Sequence, residues 1–114
     1  MFRILDAIDQ EVGGAADPAI IDEFLFDLSS IAVLHFANEE SHFPDLAYPD
    51  AEAHVADHRK FLATLTDLTK ALGRGESAVD HAAIKGLRAA LNWHLQVFDA
   101  PYSRLLVQKF GPGT

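Results

Sequence analysis

The sequence predicts an all-α fold: an antiparallel up-down four-helix bundle with a shortened first helix. Apolar residues recur with a period near 3.6 along the 114-residue chain, and strand-like alternation is scarce. The breaks in that pattern are few and rich in glycine and proline: Gly13-Gly14, Pro44 with Tyr48-Pro49, and Gly73-Arg74-Gly75. Connections this short favour antiparallel neighbours.

The first helix spans about residues 2–12, with Met1, Ile4, Ile8 and Val12 on one stripe, and stops at Gly13-Gly14. The second starts with Asp17 as N-cap and Pro18 in the first turn, and is expected to end at Phe43, before Pro44. Its inward stripe reads Phe24, Leu28, Ile31, His35, Glu39. The third is capped by Asp50 and runs to Leu72, with His54, His58, Phe61, Leu65, Leu68 and Leu72 in line. The fourth begins near Ser77, where Ser77 and Asp80 resemble a capping box, and continues to Gln108. Its stripe is Ile84, Leu87, Leu91, His94 and Phe98, and the final GPGT reads as a frayed tail.

Composition narrows the function. With 49% apolar residues, the chain carries a core for one domain, residues 1–114. It contains no cysteine, which excludes disulfides, zinc–thiolate sites and thiol catalysis. A net charge of −8 argues against nucleic acid and anionic membranes as partners. No apolar run approaches a membrane span and the N-terminus lacks a signal-peptide pattern, so a cytoplasmic location is expected, as a monomer or weak homo-oligomer.

Three helices thus direct ionisable side chains inward. Buried charges without partners each cost several kcal/mol, against a domain stability of about 5–15 kcal/mol. Four imidazoles and two carboxylates on one set of inward stripes are therefore read as a metal site. His35 to Glu39 and His54 to His58 each advance about 400° along a helix, so each pair faces one way. His94 and Asp99 fall about 140° apart on a regular helix. They converge only if that helix is distorted, for which Pro101 or a π-type turn gives a reason. Nitrogen and carboxylate donors without sulfur suit iron, manganese or zinc, and two carboxylates among four histidines suit a bridged pair of cations. Glu40, facing away from Glu39, and His81 are read as solvated, and His42 as partly exposed. Trp93 is read as packing or surface, Tyr48-Pro49 as a loop feature, and Tyr102 as a candidate partner of Asp99.

The stretches HFANEE, YPDAEAHVADHRKF and HLQVFDAPY match the patterns H-F-x-x-E-E, Y-P-x4-H-x3-H-x2-F and H-x4-D-x2-Y. In this the chain resembles the bacterial hemerythrins over most of Met1 to Leu106. The resemblance implies an oxo- or hydroxo-bridged di-iron centre that binds O2 reversibly, as carrier, scavenger or delivery module. It implies His54, His58 and His94 on one iron, His35 on the other, and Glu39 and Asp99 as bridges. Phe61 would line a dry O2 pocket, with Phe98 beside it. The family's first-helix histidine falls on Met1 here, through truncation or natural loss. The iron served by His35 is then under-ligated, leaving about two open positions instead of one. The reading is an O2-binding protein rather than an enzyme. A di-iron peroxidase or oxidase is the alternative that the open position favours. A sensor module is less favoured, because the chain leaves no room for an output domain.

Overall fold

The computed structural model describes residues 1–46, 48–76 and 79–111. Its helices are α1 (Phe2–Gly13), α2 (Pro18–Leu46), α3 (Ala51–Gly73), α4 (His81–His94) and α5 (Ala100–Phe110), with a π-helical turn, Leu95–Asp99, joining α4 to α5. α1 packs on α2 and α4, α3 packs on the same two helices, and α5 returns to α2. The fold is an all-α four-helix bundle in which α4, the π turn and α5 form the fourth helix. The expected Ser77 cap and the terminal GPGT beyond Gly111 lie outside the described residues.

Local chemistry accounts for the boundaries. The Asp17 carboxylate accepts the Ala19 amide at 3.0 Å and opens α2. The Asp80 carboxylate accepts the Ala83 amide at 2.8 Å and opens α4 at His81. Asp50 sits at the N-cap of α3 but makes no side-chain cap bond. α3 ends where the Gly75 amide bonds the Leu72 carbonyl at 3.0 Å, with Gly75 at φ +77°, a conformation that glycine adopts without a Cβ penalty. α2 continues through Pro44 to Leu46 rather than stopping at Phe43. In the last turn a proline sacrifices a single backbone bond, and the chain closes instead by Tyr48 N–H to Phe43 C=O at 3.5 Å.

The core has two parts. The larger gathers Leu5 and Ile8 of α1, Leu25, Leu28 and Phe36 of α2, Phe61 and Leu65 of α3, and Ile84, Leu87 and Leu91 of α4. The smaller joins Phe43, Tyr48 and Tyr102 near the far end. The ionisable cluster lies between them. The inward stripe of α2 is rotated from the expected one: Leu25, Leu28, Ala32, Phe36, Glu39 and Phe43 are buried, whereas Ile31 is 44% exposed. At 12 residues against 29, α1 lies along less than half of α2. Asp6 pairs with Arg88 and Asp9 with His81, which fixes α1 beside the first turns of α4 and short of His94. No helix among the described residues is long and apolar enough to cross a membrane.

Candidate metal centre

Three imidazoles meet inside the bundle. His54 Nε2 lies 3.2 Å from His94 Nε2, and His58 Nε2 lies 3.1 Å from the same atom. His54, His58 and His94 are all buried, at 0%, 1% and 3% exposure. Asp99 Oδ1 stands 3.1 Å from His54 Nε2 and 2.9 Å from His94 Nε2. Glu39 reaches within 3.5 Å of both His54 and His58. One donor atom from each of these five residues lies within 4.8 Å of all the others.

The π turn brings Asp99 there. A regular helix would point it away from His94. Closure of the turn from Ala100 N–H to Leu95 C=O, one residue wider than an α turn, returns the carboxylate to the inward face. Pro101, with no N–H to offer the Val97 carbonyl, removes the competing α-type bond.

The other ring nitrogens determine what the three Nε2 atoms can be. His58 Nδ1 lies 3.0 Å from Glu40 Oε2, and His94 Nδ1 lies 2.7 Å from Asp57 Oδ2. An ionised carboxylate only accepts, so in these contacts both Nδ1 atoms carry the proton. In the neutral rings the Nε2 atoms are then bare lone pairs, facing each other at 3.1 Å with no hydrogen between them. His54 Nδ1 is buried with no hydrogen-bond partner, and so is Glu39 Oε1, which stands 3.1 Å from His35 Nε2 without hydrogen-bond alignment. Lone pairs crowded together and the orphaned Glu39 Oε1 beside them fit a cation. Donors on adjacent corners of an octahedron, each ~2.1 Å from its centre, stand ~3.0 Å apart. The residues present therefore fit a metal bound by nitrogen and carboxylate.

The charges reinforce one another. Burial would raise the Asp99 pKa, but the hydrogen bond to His54 and the His94 ring beside it outweigh that and hold the carboxyl far below the ordinary range. Glu39 is likewise lowered: burial opposes ionisation, and the His35 and His58 rings beside it overcome that. Burial pulls His94 down, but Asp99 and Asp57 raise it on balance. His35 is raised by the Glu39 carboxylate 3.1 Å away.

Other expectations fare unevenly. His35 is not inward but on the rim, its side chain 46% exposed, because the rotated stripe of α2 places Phe36 inside instead. Glu40 is not merely solvated. It reaches across to α3 and holds His58. Asp57, not singled out from the sequence, does the same for His94. Phe36 lies flat on His58, with ring centroids 4.0 Å apart and planes 9° apart. Phe61 is buried and meets Phe36 edge-on, and Phe98 stacks on His54 at 5.1 Å. Tyr48 is a buried loop residue whose ring lies 5.7 Å from that of His54. Tyr102 is buried against Phe43 and His54 rather than hydrogen-bonded to Asp99. His81 is exposed as expected, paired with Asp9 at 2.5 Å, and Trp93 lies on the surface. His42 is partly exposed and, with His35, Glu39 and Asp99, lines a cavity of about 400 Å³ between α2 and α5.

A helical bundle whose buried imidazoles and acids converge between two apolar clusters defines a cation-binding helical domain. The comparisons with known proteins identify which kind. The family model described as "Hemerythrin HHE cation binding domain" matches residues 1–102, and the chain belongs to the hemerythrin family. It is similar to a bacteriohemerythrin of Methylococcus capsulatus (strain ATCC 33009 / NCIMB 11132 / Bath), 32% identical over 79 residues. That match covers 69% of this chain and 60% of the relative, so the chain spans less than two thirds of the relative's length. No solved structure gives a significant match.

Proposed function

We propose that the chain is a non-haem di-iron protein that binds O2 reversibly. In this reading His54, His58 and His94 would hold one iron, His35 would serve the other, and Glu39 and Asp99 would be shared between them. The observation that carries it is the set of three buried Nε2 atoms at 3.1–3.2 Å beside two ionised carboxylates. Membership in a cation-binding family and similarity to a bacteriohemerythrin support it. When bound, a pair of ferrous ions supplies the electrons with which O2 is held.

The protein's own groups provide the rest. Phe36, Phe61 and Phe98 surround the rings and exclude water from their inner side. Glu39 and Asp99 offset cationic charge inside a low-dielectric interior. The 400 Å³ cavity beside His35 admits a small ligand from solvent on the side where one imidazole serves alone. That opening favours a second reading, peroxide turnover by an under-ligated iron.

The test is metal analysis followed by spectroscopy. Iron-loaded, reduced protein is expected to hold two irons per chain, and to show an absorption change on adding O2 that disappears on purging. An absence of iron binding would overturn the metal reading. Irreversible O2 consumption with peroxide turnover would replace reversible binding with the second reading.

A further inference from the structure

We infer that Asp57 and Glu40 are positioning residues that preset the tautomers of His94 and His58, so that the cluster is arranged to receive a cation before one arrives. This deepens the metal reading of the same centre. The argument begins with connectivity. Glu40 follows Glu39 on α2 but holds His58 on α3, at 3.0 Å. Asp57 precedes His58 on α3 but holds His94 on α4, at 2.7 Å. Each acid is a sequence neighbour of one inward group and the hydrogen-bond partner of another, on the next helix. Two carboxylate–imidazole links thus tie α2 to α3 and α3 to α4 through the rings that point at the centre.

The links act on proton position as well as on packing. A neutral imidazole has one N–H, and a carboxylate at Nδ1 assigns it there, leaving Nε2 bare. Metal-bound histidines commonly have such an outer acceptor, and losing it typically costs 10–100-fold in affinity. His54 provides the contrast inside the same cluster. Its Nδ1 is buried without a partner, so no acceptor fixes its proton on that side. On that side Phe43, Tyr48 and Phe98 hold the ring by contact, and its one acid partner, Asp99 Oδ1 at 3.1 Å, lies at Nε2.

The experiment substitutes amides for the acids. Asp57→Asn and Glu40→Gln keep shape but present either an acceptor or a donor, so they no longer dictate the tautomer. Ring ¹⁵N shifts are measured by NMR on the metal-free protein at a pH above the titration of the rings, where each is neutral, and cobalt(II) alone is titrated as the probe. Wild type is expected to show His58 and His94 as Nδ1–H tautomers. D57N should mix the tautomers of His94 only, E40Q those of His58 only, with His54 unchanged in both. Each variant should lose about 10–100-fold in cobalt affinity. Rings that stay Nδ1–H in both variants, or a cobalt affinity that does not move when the tautomer does, would overturn the inference. So would changes in all three rings from either substitution, since these mark a general structural effect. Because Glu40 is partly exposed and on a different helix, E40Q decides the matter even if D57N fails to fold. Wild type that shows the preset tautomers but takes up no cobalt would overturn the metal reading while leaving the positioning role intact.

Discussion

The two ends of the bundle solve the problem of an interior differently. Beside α1, four helices enclose Leu5, Ile8, Leu25, Leu28, Ile84 and Leu87, all essentially inaccessible to water, and burial of area suffices. Beyond α1, three helices surround a cluster of imidazoles and acids, and one member, His35, is left on the rim. The first end is complete as an apolar core. The second is held by hydrogen bonds between ionisable groups and still contains orphaned atoms, His54 Nδ1 and Glu39 Oε1. Stability and binding should therefore separate along the length of the molecule.

The strongest way to break that separation is His94→Ala. It removes the nitrogen shared by both close Nε2 contacts and the link to Asp57. Cation affinity, read by cobalt titration, should fall by more than the roughly 100-fold that losing an outer partner costs. Leu28→Ala, at the apolar end, should do the opposite. It should cost about 2–5 kcal/mol in chemical denaturation, with cobalt affinity unchanged in the folded fraction. His35→Ala should reduce bound iron from two per chain towards one, with little loss of thermal stability because the ring is half exposed. An unchanged iron count would assign the second cation elsewhere.

Acidity sharpens the comparison further. The folded-state pKa of His94 is raised above its ordinary 6.5. Its contribution to the metal-free protein is thus fully present below about pH 6.5 and is lost as pH rises through the raised value. Asp99 is shifted down, so its contribution is present above its ordinary 3.8 and is lost only as pH falls towards a much lower value. Thermal unfolding of the metal-free protein should therefore weaken as pH rises above about 6.5 and resist mild acid, and H94A should remove the part of the profile lost with rising pH. The smallest effect is expected from His81→Ala. This breaks an exposed pair with Asp9 and should cost less than about 1 kcal/mol in the same unfolding assay.

Much of this arrangement is legible in the residues. The spacing of His54 and His58 places both on the stripe that continues through Phe61 and Leu65, and the awkward interval from His94 to Asp99 together with Pro101 signals a distorted helix. What escapes is set by neighbours. A helical wheel for α2 alone places Glu40 outside, because the ring that it holds belongs to α3. Asp57 is hidden for the same reason, its partner lying on α4. The tilt of α2 also exceeds what its own pattern fixes, since Phe24, Leu25, Ile31 and Ala32 allow two similar apolar stripes. Packing against α1, α3 and α4 selects the one with Leu25, Ala32 and Phe36 inside.

The π turn reaches further than the one carboxylate that it redirects. Tyr102 follows Asp99 by three residues and shares its phase, so the ring that helps close the far end is keyed to the same slip. Removing one residue between Leu95 and Asp99 would restore an ordinary helical winding and rotate the rest of α5 by about 100°. An acid and an aromatic plug would leave the interior together. Evolution or engineering can thus retire this centre with a single deletion that touches none of its histidines.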